Sequence, residues 1–122
     1  MVSKKLSRPI SRDYVTKDMK HMLLKVRLLH EIEAKPSYSY ELFERLKSWP
    51  GKRFFSNCRY VKNDIYNTIN ALERSGYILS KQKIEHGKLK NYYHITQAGA
   101  NALDESKAFF KKSIIEMKGI VE

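Results

Sequence analysis

Between Asn63 and Ile95 the chain changes its hydrophobic period once, and that change limits the folds open to it. Ile65, Ile69 and Leu72 recur at four- and three-residue spacing, which predicts a helix over about 63–75 with these side chains inward. Gly76 follows directly and suits the left-handed backbone position that closes a helix. Tyr77-Ile78-Leu79 and the run from Leu89 to Ile95 then read as extended segments around Glu85-His86-Gly87-Lys88, where His-Gly fits a tight turn. A hairpin over about 78–95 is the result. The helix that feeds it keeps a polar side of Asn63, Asn67, Asn70 and Arg74.

The flanking segments supply the rest of the fold. From Asp18, read as an N-cap, the residues Met19, Met22, Leu23, Val26, Leu29 and Ile32 mark an amphipathic helix ending near Lys35-Pro36. Ser37 is positioned to cap a second, short helix with Tyr38, Leu42, Phe43 and Leu46 on its apolar face, stopped by Trp49-Pro50-Gly51. Lys52 to Lys62 has no clean period and reads as a connector. After the hairpin, Thr96 is the expected N-cap of a last helix running to about Gly119. The order of helix, helix, helix, hairpin, helix predicts a mainly α protein with a small β-hairpin: a winged helix-turn-helix plus a C-terminal helix. Three parts are expected: a mobile basic arm over 1–17, a winged helix over 18–96 and a dimerisation helix over 97–122.

At 122 residues, with 42% hydrophobic and 30% charged, the chain can bury one core and is not the apolar-poor type that stays unfolded. Its formal charge of +11 attracts polyanions, nucleic acid first among them, although lysines also decorate purely solvated surfaces. No segment has the apolar length of a membrane span and the first residues lack a secretory signal core, so no membrane association and a cytoplasmic location are expected. Cys58 is the single cysteine, which excludes an intrachain disulfide.

Three blocks of residues resemble one family. Pro36-Ser37-Tyr38-Ser39-Tyr40-Glu41-Leu42 is similar to a Pro-Ser-Tyr-Gly-Tyr-Glu-Leu segment, with Ser39 where glycine is usual. Asp64-Ile65-Tyr66 through Leu72-Glu73 and Gly76-Tyr77-Ile78 resembles a recognition helix that reads Thr-Val-Tyr-Pro-Ala-Leu, then Leu-Glu, then Gly-Leu-Ile, with Asn67 in place of proline and Asn63 in place of the preceding glycine. Tyr92-Tyr93-His94-Ile95-Thr96, followed by Gly99, resembles the close of the wing. The chain is thus similar to the PadR-like transcriptional regulators over roughly residues 19 to 105. The resemblance implies a homodimeric DNA-binding regulator, more often a repressor, in which Tyr66 is the signature tyrosine and the last helix dimerises.

The expected roles follow from groove chemistry. Asn67 and Asn70 can donate and accept together, matching the N6 and N7 edge of adenine in the major groove. Asn63 is either a third contact or the helix cap, and Tyr66 either bonds a phosphate or packs. Lys62 and Arg74, at the two ends of the helix, reach the phosphate backbone. Lys81, Lys83, Lys88 and Lys90, with His86 at the turn, are assigned to phosphate or minor-groove contacts by the wing, strand alternation placing Lys81 and Lys83 on one face and Ile84 on the other. Leu103, Phe110, Ile114, Met117 and Val121 form a stripe assigned to a second subunit, together with that subunit's first helix.

Catalysis is not expected, because His21, His30, His86 and His94 have no metal-ligand spacing and no phosphate loop is present; neither a metal nor a cofactor is predicted. The competing reading is an architectural or RNA-binding module that uses charge and shape without sequence preference. Trp49, Phe109 and Phe110 are candidates to line a pocket for a small aromatic effector.

Overall fold

A computed structural model describes residues 2–47 and 62–121, with side chains described over 18–46 and 62–121. In chain order the elements are α1 (Val2–Ala34), α2 (Ser39–Lys47), α3 (Lys62–Arg74), β1 (Ile78–Glu85), β2 (Lys88–Ile95) and α4 (Gln97–Val121). This is the mainly helical winged-helix architecture with a C-terminal helix that the sequence predicts. α1 touches α3, α4 and β2, so it is the post around which the other elements pack.

The core joins Leu24, Leu28, Leu29 and Ile32 of α1 to Leu42 and Leu46 of α2, Ile65, Ile69 and Leu72 of α3, and Ile78, Tyr93 and Leu103. Each helix contributes residues at three- and four-residue spacing, the arrangement that puts one stripe against its neighbours. Removing such stripes from water is the main force holding so small a domain together.

α1 begins at Val2, not at Asp18, so the segment read as a basic arm continues the first helix. The sequence expectation relied on apolar periodicity, which becomes regular only from Met19. Ser37 is not the cap of α2, which starts two residues later. Ser37 is fully buried and exchanges backbone hydrogen bonds with Tyr93, its N–H donating over 3.4 Å and its carbonyl accepting over 2.9 Å, which fastens β2 to the body. The first turn of α2 is instead closed by Glu41, whose carboxylate accepts from the Tyr38 N–H at 3.3 Å, as the acid of a capping box does. The Glu31 carboxylate links α1 to α2, pairing with Arg27 at 2.8 Å and facing Arg45 at 3.6 Å. The stop expected at Trp49-Pro50-Gly51, the connector and Cys58 lie outside the described residues.

The end of α3 and the start of α4 are tied together by backbone chemistry. Gly76 has φ of 81°, its N–H donates to Glu73 at 3.0 Å, and the Tyr77 N–H donates to Leu72 at 3.0 Å. These are the two bonds of a Schellman termination. Thr96 caps α4 as predicted: its Oγ1 accepts from the Gly99 N–H at 3.0 Å and donates to the Gly76 carbonyl at 2.6 Å. A side chain at Gly99 would collide with the Tyr77 backbone, so this glycine lets α4 lie directly on the wing root.

Candidate nucleic-acid interface

α3 is seated by Ile65, Thr68, Ile69 and Leu72, all buried. Thr68 turns its hydroxyl back onto the Asp64 carbonyl at 2.7 Å, which satisfies it inside the core. With one side so fixed, the residues at 63, 67, 70 and 74 fall on the opposite side, and Asn63, Asn67, Asn70 and Arg74 are all exposed. No part of the described chain covers them. Asn63 lies one residue inside the helix, since α3 starts at Lys62, so the alternative in which it serves as the cap does not hold.

Two residues at the start of α3 have partners within the protein. Lys62 places its ammonium 5.9 Å from the Phe43 ring centre and 5.8 Å from that of Tyr66, within the range of cation–π attraction. Tyr66 is half-buried and packs its ring against the core. Lys62 itself stays exposed, its charge held near the leading end of the helix.

The wing is an antiparallel ladder in which Lys81 faces Tyr92, Lys83 faces Lys90, and Glu85 faces Lys88. Residues opposite one another share a face, so all four lysines lie on one side of the ribbon and Ile84 on the other, as alternation predicts. The turn is His86-Gly87, with φ of 50° and 76°. Two positive values define the type I′ turn that suits the twist of a two-residue hairpin.

Directly opposed lysines repel, and the wing offsets this with aromatic rings that sequence reading alone did not bring together. The Lys90 ammonium sits 4.3 Å from the centre of Tyr38, and Lys83 sits 5.5 Å from that of Tyr92. Tyr38 and Tyr92 meet edge to face at 5.4 Å and 72°, so the residue just before α2 braces the wing. The Tyr92 hydroxyl donates to Glu85 Oε1, while Glu85 Oε2 lies 3.7 Å from the Lys83 ammonium. The hydroxyl bond, with smaller help from Lys83, Lys90 and His86, holds the Glu85 carboxyl below its ordinary range and outweighs the opposing effect of burial. The same bond raises Tyr92 to about 12. A second tie joins wing and helix: Ser80 Oγ donates to Glu73 Oε2 at 2.9 Å.

At the far end of the molecule, Leu103 is fully buried in the chain's own core. It therefore does not belong to the stripe assigned to a partner, because the second turn of α4 still lies against the body. Phe110 is half-buried, and Ile114, Met117 and Val121 are exposed, joined by Phe109, Ile115 and Ile120, of which the last two carried no role in the sequence reading. Met19 and Met22 of α1 are exposed as well. Of the aromatics considered for an effector pocket, Phe109 and Phe110 have ring centres 6.1 Å apart, and Trp49 lies outside the described residues. Among the described residues no group of three His, Cys, Asp or Glu could hold a metal ion, and no helix is long and apolar enough to cross a membrane.

A helix with a bare polar side leading into a lysine-faced hairpin matches a known sequence family. The model of the PadR-like transcriptional regulators matches residues 28–105. The chain belongs to this family. Family membership makes it a DNA-binding transcriptional regulator in the broad sense. Solved structures share the fold. A PadR-like transcriptional regulator from Bacillus cereus has a TM-score of 0.70 at 22% identity, covering 86% of this chain and 97% of that one. A PadR family regulator from Clostridium difficile gives 0.70 at 17% identity, covering 81% and 98%. One from Eggerthella lenta gives 0.67 at 20%, covering 93% and 97%. Among curated protein sequences none matches significantly.

Proposed function

We propose that this PadR-like protein reads a specific double-stranded DNA site as a homodimer and represses transcription by occupying it. The observation that carries the reading is the uncovered line of Asn63, Asn67, Asn70 and Arg74 on a helix whose other side is locked into the core. The major groove admits a helix and offers each base pair a distinct pattern of donors and acceptors. Asn67 and Asn70, near the middle of the line, are the base-reading groups; Arg74 and Lys62 hold the backbone at the two ends. The ring-braced Lys83 and Lys90, with Lys81, Lys88 and His86, place the wing on flanking phosphates.

One α3 touches only a few base pairs, so specificity calls for two. Phe110, Ile114, Met117 and Val121 supply the seam in this reading, with α1 of the second subunit against them. An exposed apolar row of this length on a solvated helix is otherwise hard to account for. Selection of duplexes from a random pool by the full chain tests the whole proposal. The expected result is a motif with twofold symmetry and half-sites about one helical turn apart. An unenriched pool, or preference for RNA, would point to an architectural or RNA-binding module instead. Sedimentation of Met117→Glu should give a monomer if α4 forms the seam.

A further inference from the structure

On the face of the wing opposite the lysines, the rungs run from Ile78 with Ile95, through Ser80 with Tyr93 and Gln82 with Asn91, to Ile84 with Leu89. The first two rungs contribute Ile78 and Tyr93 to the core. The Gln82–Asn91 rung is polar and exposed. Apolar side chains then return at the last rung before Glu85–Lys88 and the turn, where Ile84 is 73% and Leu89 61% exposed. A polar rung separates this pair from the core, so it is not the fringe of the core, and it stands about 20 Å along the ribbon from Ile78.

The charge around the pair indicates what covers it. From Ile78 to Ile95 the wing carries Lys81, Lys83, Lys88 and Lys90 against Glu85 alone, and Glu85 is held by the Tyr92 hydroxyl and Lys83. An apolar patch on so cationic a ribbon fits a polyanion that also has apolar surface. Double-stranded DNA is such a polymer, because the deoxyribose rims of its minor groove present C–H groups between phosphates. In RNA the same rims carry 2′-hydroxyls along a wide, shallow groove.

We infer that Ile84 and Leu89 pack against the deoxyribose wall of the minor groove flanking the site read by α3, and that this contact makes the wing selective for DNA over RNA. The inference rests on the DNA-binding reading above and adds a sugar-recognition role to it. Lys88, one rung nearer the turn, projects with Lys81, Lys83 and Lys90 from the opposite face, and together they hold the ribbon to the phosphates at the groove edge.

The test uses the full chain, a duplex selected by the wild type, and the pair Ile84→Thr with Leu89→Thr. Threonine keeps the strand preference of the rung and removes its apolar contact; unchanged melting temperature and circular dichroism show that the wing is intact. Anisotropy titrations over a range of salt should show about a tenfold loss of affinity at every concentration, with the slope of log K against log salt unchanged. Lys88→Ala should instead reduce that slope. Ribonucleotides placed only in the flank should cost the wild type a similar factor and cost the double variant almost nothing more. Equal affinity of wild type and double variant for DNA would overturn the inference. So would additive losses from ribose and mutation, or a change in subunit association. If the wild type selects no duplex at all, the DNA-binding reading fails first, before any variant is compared.

Discussion

Gly99 offers a sharp test of how the wing and α4 are joined. A Cβ at this position would lie 2.1 Å from the Tyr77 carbonyl oxygen, 2.9 Å from its carbon and 2.9 Å from Ile95 Cγ1. Comfortable contacts to carbon begin near about 3.5 Å, so the first turn of α4 would have to retreat by about 1 Å. Two of the closest atoms are backbone, with no flexible end to swing away. The retreat would stretch three bonds: Thr96 N–H to Tyr77 at 3.0 Å, Gly99 N–H to Thr96 at 3.0 Å, and Thr96 hydroxyl to Gly76 at 2.6 Å. Overpacking costs about 1–3 kcal/mol and each weakened bond up to about 1, while alanine in a helix returns about 1. Gly99→Ala should therefore destabilise the fold by about 3 kcal/mol, lowering the melting temperature by about 10–15 °C. Thermal unfolding followed by circular dichroism measures it. Gly119→Ala is the matched control, with nothing within 4 Å of its Cβ, and should be neutral or slightly stabilising. A Gly99→Ala protein melting within about 2 °C of wild type would refute the close packing of α4 on Tyr77.

Three further outcomes follow from the same geometry. Thr96→Ala removes the cap of α4 and its bond to Gly76, and should cost about 1–2 kcal/mol in chemical denaturation. Tyr92, raised to about 12, should stay protonated in an ultraviolet titration where ordinary tyrosines have ionised near pH 10, and Glu85→Gln should bring it back toward that value. Because the folded value lies above the unfolded one, this contribution to stability is complete below pH 10 and is lost as pH rises through about 12; a Tyr92 that ionises near pH 10 in the wild type would contradict the Glu85 bond. Lys88→Ala with Lys90→Ala should weaken binding to specific and random duplexes alike and lower the salt slope by about 2, as counted by binding at several salt concentrations.

Most of the fold was readable in the sequence because its decisive points are local. Gly76 and His86-Gly87 answer a need for positive φ, Thr96 answers unpaired N–H groups, and Ile65, Ile69 and Leu72 fix which side of α3 faces in. What escaped the sequence depends on contacts distant in the chain. Ser37 has the composition of a cap, but its partner is Tyr93 across the body. Leu103 has the spacing of a seam residue, yet spacing does not say how far along α4 the body reaches. The start of α1 was missed because residues 2–17 offer no regular apolar spacing to follow. Of the site, the polar line of α3 and the lysine face were legible, whereas the Tyr38–Tyr92 brace and the Ile84–Leu89 rung needed the strand register.

The central claim is that the bare side of α3 reads bases. Competition titrations of Asn67→Ala with Asn70→Ala against the wild type, using a selected duplex and a scrambled one, address it most directly. The account predicts a loss of about tenfold or more on the selected duplex and almost none on the scrambled one, collapsing the ratio between them. Equal losses on both, or none on either, would mean that these asparagines do not recognise sequence and that the wing's charge alone holds the nucleic acid.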